Sequence, residues 1–160
     1  MDALIEGVKQ DFQFAKEGIL RALGNTPDDR LNWSPSPTSR TPLNQVVHSA
    51  ASVAHLHNTM AGRTFSVPTR EEADVFHRNY ESQFKTREQA IELMEANSAA
   101  YLDWLDTLTT DRFDEMVLLP FDLGSAPMRL VITFPALHTR MHHAQLDYIQ
   151  TIYGDLDWHA

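Results

Sequence analysis

Apolar residues return at three- and four-residue steps in four separate stretches of this 160-residue chain. That spacing commits it to amphipathic helices packed on one another. In the first stretch, from about Asp2 to Leu23, the stripe is Leu4, Ile5, Val8, Phe12, Ala15, Ile19, Ala22 and Leu23. Gly24-Asn25 reads as a left-handed stop, and Pro27 cannot prolong the helix. A loop rich in Pro, Ser, Asn and Asp follows from Thr26 to Arg40, pinned by Leu31 and Trp33. Thr41-Pro42 then pairs an N-cap with a first-turn proline, so a second helix starts there and ends near Gly62.

Thr69-Arg70-Glu71-Glu72 has the form of a capping box and opens a short helix through Tyr80. Thr86-Arg87-Glu88-Gln89 opens the third long helix, whose stripe is Ile91, Met94, Ser98, Tyr101, Leu105 and Leu108. Residues Thr109 to Ala126 form a connection with an extended piece at 116–121. The last helix contains His138 through Ile152 and stops at Gly154. Its start has two readings. Pro127 sits in the first turn and Pro135 kinks the interior, or the stretch before Pro135 is extended and Pro135 begins the helix. The long kinked helix is the favoured expectation. Four long helical patterns without a repeating strand signal predict a single all-α domain over residues 1–160, a four-helix bundle.

The chain has no cysteine, which excludes disulfides, thiolate ligands and cysteine nucleophiles. Its net charge of −9, from 13 basic against 22 acidic residues, argues against nucleic acid or an anionic membrane as partner. The start, Met1-Asp2-Ala3-Leu4-Ile5-Glu6, lacks a basic segment and apolar run, and no stretch approaches ~18 consecutive apolar residues. A cytoplasmic protein is the expectation.

Chemistry concentrates in the histidines. His138 and His142 stand four residues apart, so their side chains leave one helix face about 40° apart, with Gln145 at about 20° on the other side. His143 points beside that face. On the second helix His48 shares a side with Ser52 and His55, while His57 points away. Two imidazoles from one helix and one from a facing helix suit a divalent metal in a bundle core. Zinc, nickel, iron and copper all accept such ligands. Three neutral ligands leave a position open for water or substrate, and affinity should collapse as the imidazoles protonate. The competing reading makes each histidine a packed or solvated residue, and it is preferred for His55, His57, His77 and His159. Thr139 stands where a zinc-protease helix carries its general-base glutamate, and no nucleophile elbow or phosphate loop is present.

Two segments carry a family resemblance. Asp29-Arg30-Leu31-Asn32-Trp33-Ser34-Pro35 precedes a helix with an inward histidine, and the last helix reads His138-Thr139-Arg140-Met141-His142-His143-Ala144-Gln145. The chain resembles the DinB/YfiT-like superfamily, whose last helix has the form His-x-x-x-His-Arg-Gly-Gln. It departs at His143 and Ala144. The resemblance implies an up-down-down-up bundle, a divalent metal on His48, His138 and His142 (zinc or nickel, with iron or manganese as substitutes), and a homodimer. Relatives include transferases and isomerases that use small cytoplasmic thiols, so it also implies a metal-dependent thiol transferase or detoxification enzyme acting on a small molecule. A non-catalytic metal-binding or stress-response bundle acting by dimerisation or partner contact, and a metal-dependent hydrolase, stay open beside it.

Overall fold

The computed structural model describes residues 2–63, 69–157 and 159. Its long helices are α1 (Ala3–Asn25), α2 (Pro42–Met60), α4 (Arg87–Asp106) and α6 (Phe134–Ile152), with a shorter α3 (Arg70–Glu81) and a single turn, α5 (Met128–Val131). A two-stranded antiparallel hairpin, β1 (Met116–Leu118) and β2 (Ser125–Pro127), lies between α4 and α5, with Val117 opposite Ala126. No described helix is long and apolar enough to cross a membrane.

The helix starts follow their local chemistry. Asp2, Thr41, Thr69 and Thr86 each accept a hydrogen bond from a backbone N–H of the first turn, and Thr86 with Gln89 closes a full capping box. Two expectations need correction. Gly24 and Asn25 do not stop α1: both are helical, and the chain leaves the helix at Thr26, whose hydroxyl bonds back to the Ala22 carbonyl just before Pro27. The long kinked last helix is not formed either. Pro135 has no N–H to give the Val131 carbonyl, so α5 ends at Val131 and Pro135 occupies the first turn of α6. The Ile132 carbonyl, at the break, accepts instead from the buried Tyr101 hydroxyl at 2.5 Å. Pro127 lies in β2 and flanks α5, and Met128 to Val131 is one helical turn rather than extended chain.

Contacts between helices fix their directions. Lys9 pairs with Asp106 and Lys16 with Glu95, so α1 and α4 run antiparallel. Asp11 pairs with Arg140 and the Gln150 amide donates to the Ala22 carbonyl, so α1 and α6 run parallel. Gln45 meets His142 and Ser49 meets Thr139, so α2 opposes α6. The result is the up-down-down-up arrangement. One apolar cluster joins Phe12, Val53, Tyr101, Leu105 and Met128 towards the hairpin. A second joins Ile19, Leu23, Leu43, Val46, Met94 and Leu146 towards the other end. His48 of α2 and His138 and His142 of α6 sit along the seam between these helices.

Candidate metal centre

α2 carries His48 on the side that faces α6, one position past Val47, which is fully buried. α6 returns the favour with His138 and His142, one turn apart. Ring centroids lie 4.7 Å apart for His48 and His142, 5.4 Å for His48 and His138, and 4.5 Å for His138 and His142. One nitrogen from each of the three lies within 4.8 Å of the others. Zinc takes imidazole nitrogens at roughly 2.0–2.1 Å, so three that gather this closely are candidates for one ion.

Two of the rings are oriented by hydrogen bonds. His48 Nδ1 donates to Glu81 Oε1 at 2.8 Å, and His142 Nδ1 donates to Gln45 Oε1 at 2.6 Å. Both bonds commit Nδ1 as the protonated nitrogen, leaving the Nε2 lone pairs of His48 and His142 for a ligand. His138 Nδ1 is buried with no hydrogen-bond partner among the described residues. A buried, unsatisfied nitrogen beside two correctly polarised imidazoles fits a divalent cation well.

Electrostatics agree. Burial, with Arg40 and His138 adding to it, pushes His48 down to about 3. Burial pushes His138 down to about 4 and, with His138 and His48 nearby, His142 to about 2. All three are neutral at pH 7, the state a metal needs. Glu81, 1% exposed, takes two bonds from Arg40 Nε at 3.0 and 2.9 Å besides the one from His48. Burial raises its carboxyl while Arg40 draws it back.

Other histidines separate cleanly. His77, expected to be structural or solvated, stands against His48 with centroids 4.7 Å apart, and His48, His77 and Glu81 form a second set of potential ligands. That set is the weaker one, because Arg40 already holds both Glu81 oxygens. His55 approaches His77 at 5.1 Å and does not join the triad. His57 packs on Trp104, and His159 pairs with Asp155. His143 lies outside the triad, where its ring fills the space above Gly18 and its Nε2 reaches Asp147 at 3.5 Å. Gln145 is exposed beside His142. Thr139 is fully buried and accepts from Ser49 at 3.0 Å, which ties α6 to α2 and leaves no room for a base there.

Arg40, Gln45 and Glu81 were not foreseen. Gln45 had a local signal, since it lies one turn before His48 on the same side of α2. Glu81 had none, because its partner is reached only when α3 folds over α2. A cleft of about 480 Å³ opens beside His48 and His138, with His55, His77 and Arg40 on its walls and Leu56, Phe121, Leu123 and Phe134 closing it.

A family model described as the DinB superfamily matches residues 11–146. No curated protein matches the chain. Among solved structures, an uncharacterized protein from Clostridium difficile 630 is 9% identical, with a TM-score of 0.76 over 95% of this chain and 98% of that one. A chain titled Sibling Lethal Factor Precursor - DfsB is 14% identical, with a TM-score of 0.70 over 97% and 99%. A conserved protein from Enterococcus faecalis is 12% identical, with a TM-score of 0.65 over 97% and 99%. These likenesses are ones of fold. With the family match covering most of the sequence, this chain belongs to the DinB superfamily.

Proposed function

We propose that this protein is a divalent-metal-dependent transferase that uses a low-molecular-weight thiol, with zinc or nickel held by His48, His138 and His142. The observation that carries the reading is an incomplete donor set at an open cleft. No fourth His, Cys, Asp or Glu joins the triad among the described residues, and His48 and His138 both line the cleft. A structural zinc site is normally closed by four protein ligands. A bound metal would supply a Lewis acid that favours the thiolate form of a thiol. The chain's own residues do the rest. Glu81 and Gln45 hold His48 and His142 in the ligating tautomer, and Leu56, Phe121 and Phe134 give an apolar wall to the space where an electrophile would lie. The test replaces the metal by cobalt and titrates a panel of small thiols while the visible spectrum is recorded. A new thiolate-to-cobalt band is expected; an unchanged spectrum with every thiol ends the transferase reading.

A second reading, homodimerisation, has its own support. Leu137, Met141, Tyr148 and Ile152 are 55%, 54%, 68% and 48% exposed, and their 4-7-4 spacing lines one side of α6. Such a stripe suits burial against the same helix of a second copy. Sedimentation of the wild type and of Met141→Glu is expected to show a dimer and a monomer. A wild type that stays monomeric at high micromolar concentration ends this reading.

A further inference from the structure

Arg40 stands where two grooves meet. It lines the cleft beside His48 and His138, and also a groove of about 600 Å³ bounded by Gln45, Arg78, Gln145 and Tyr148. Its position is built rather than accidental. The turn from Ser36 to Ser39 is closed by side-chain and backbone hydrogen bonds, and Thr41 immediately begins the cap of α2. The Arg40 side chain is only 16% exposed. Its Nε is fully engaged by Glu81, whereas Nη2 reaches Asp74 at a long 3.4 Å and Nη1 makes no hydrogen bond among the described residues. Asp74 is half exposed and is held more closely by Arg78, at 2.8 Å. Thus the Nε edge of Arg40 is committed inward, and the opposite, two-nitrogen edge is underused.

The charge of the surroundings points the same way. Glu81 is spent on Arg40 and His48. Asp74 is the remaining carboxylate on the cleft wall, against Arg40 and Arg70, and a metal on three neutral imidazoles would add two positive charges. Beyond the histidines, Ser52 and Thr59, the walls are hydrocarbon, chiefly from Leu56, Leu119, Phe121, Leu123 and Phe134. We infer that the cleft takes a small organic anion, with an apolar body against these side chains and a carboxylate on the outer edge of Arg40. Planar guanidinium and carboxylate match bidentately, which makes this arginine a specificity-determining residue rather than a general source of positive charge. The inference rests on the reading of this cleft as the substrate site, and names the class of molecule it admits.

The experiment compares two ligands of one shape, 3-phenylpropionate and the neutral 3-phenyl-1-propanol, by calorimetric titration of the zinc-loaded and metal-free chains. The acid is expected to bind about 10- to 100-fold more tightly than the alcohol to the wild type. Arg40→Gln should abolish that preference in the metal-free chain, where loss of the Arg40–Glu81 pair cannot act through zinc. Arg129→Gln, in α5 and paired with Asp114, should keep it. Equal affinity for the two ligands in the wild type, or a preference that survives Arg40→Gln, overturns the inference. A chain that takes up no zinc sinks the metal-dependent function instead, and the metal-free titrations still decide the role of Arg40. If Arg40→Gln does not fold, nitrogen-15 spectra of the wild-type arginine side chains replace it. Arg40 must then shift with the acid and not with the alcohol, and an unmoved Arg40 signal rejects the assignment.

Discussion

Glu81 Oε1 lies 2.8 Å from His48 Nδ1, so a carboxylate at the end of α3 sets the tautomer of an imidazole in the middle of α2. Through the same carboxylate Arg40, just before α2, is tied to both. Metal affinity should therefore depend on a residue that is no ligand. Glu81→Gln is expected to weaken zinc binding roughly 10-fold, within the range found for partners of ligating histidines. Competition against a chromogenic chelator measures it, and an unchanged zinc affinity would remove Glu81 from the site.

Acid should unfold the metal-free protein early. His48, His138 and His142 are held at about 3, 4 and 2, against an ordinary value of 6.5. Between those values and 6.5 the unfolded chain binds more protons than the folded one, so stability rises with pH. The contribution is complete above pH 6.5 and is lost progressively below it, down to about pH 4 for His138, 3 for His48 and 2 for His142. Each proton taken up on unfolding adds a slope of about 1.4 kcal/mol per pH unit. Urea midpoints taken at intervals from pH 7.5 to 4.5 read this directly. A flat profile below pH 6.5 would mean that the rings are already solvated. Zinc should shift the unfolding midpoint up at pH 7 and lose that effect near pH 5.

Tyr101→Phe isolates the break before α6. The hydroxyl satisfies the Ile132 carbonyl, and both residues are fully buried. Its removal leaves a buried acceptor unpaired, which costs about 1–3 kcal/mol. Denaturant unfolding measures the loss, and a change below about 0.5 kcal/mol would show that this bond does not hold the junction.

Gly18→Ala should change sign with its neighbour. An added Cβ would lie 2.8 Å from His143 Cε1 and 2.9 Å from Nδ1, so the ring must move. In the wild type the crowding is expected to cost about 1–3 kcal/mol, against a helix-propensity gain of about 1 kcal/mol. In a His143→Ala background only the gain remains. The four unfolding free energies of the double-mutant cycle test this. Equal effects in both backgrounds would refute the contact between α1 and α6.

Local chemistry made much of this molecule readable before folding was considered. Thr41-Pro42, Thr69 and Thr86 announce their helices because a cap is satisfied within three residues, and a helical stripe needs only its own period. The same geometry put His138 and His142 on one side of α6 with no knowledge of its neighbours. Pro135 shows where such reasoning runs short. Its missing N–H was plain, but a kink and a fresh start cost similar amounts locally, and the buried Tyr101 hydroxyl waiting for the Ile132 carbonyl accompanies the break. At Gly24-Asn25 the left-handed stop lost to Thr26 for a similar reason, because the Gln150 amide meets the Ala22 carbonyl and the Thr26 hydroxyl from across the bundle.

The amino-acid order thus determined the helices, their caps and the placing of His138 and His142 on one face, since each depends on interactions that close within one or two turns. Tertiary structure alone decided how the three rings are held and what stands beside them. Glu81 reaches His48 across 33 positions and Gln45 reaches His142 across 97. Contacts of that span follow from how helices pack, which no periodicity within a single helix encodes.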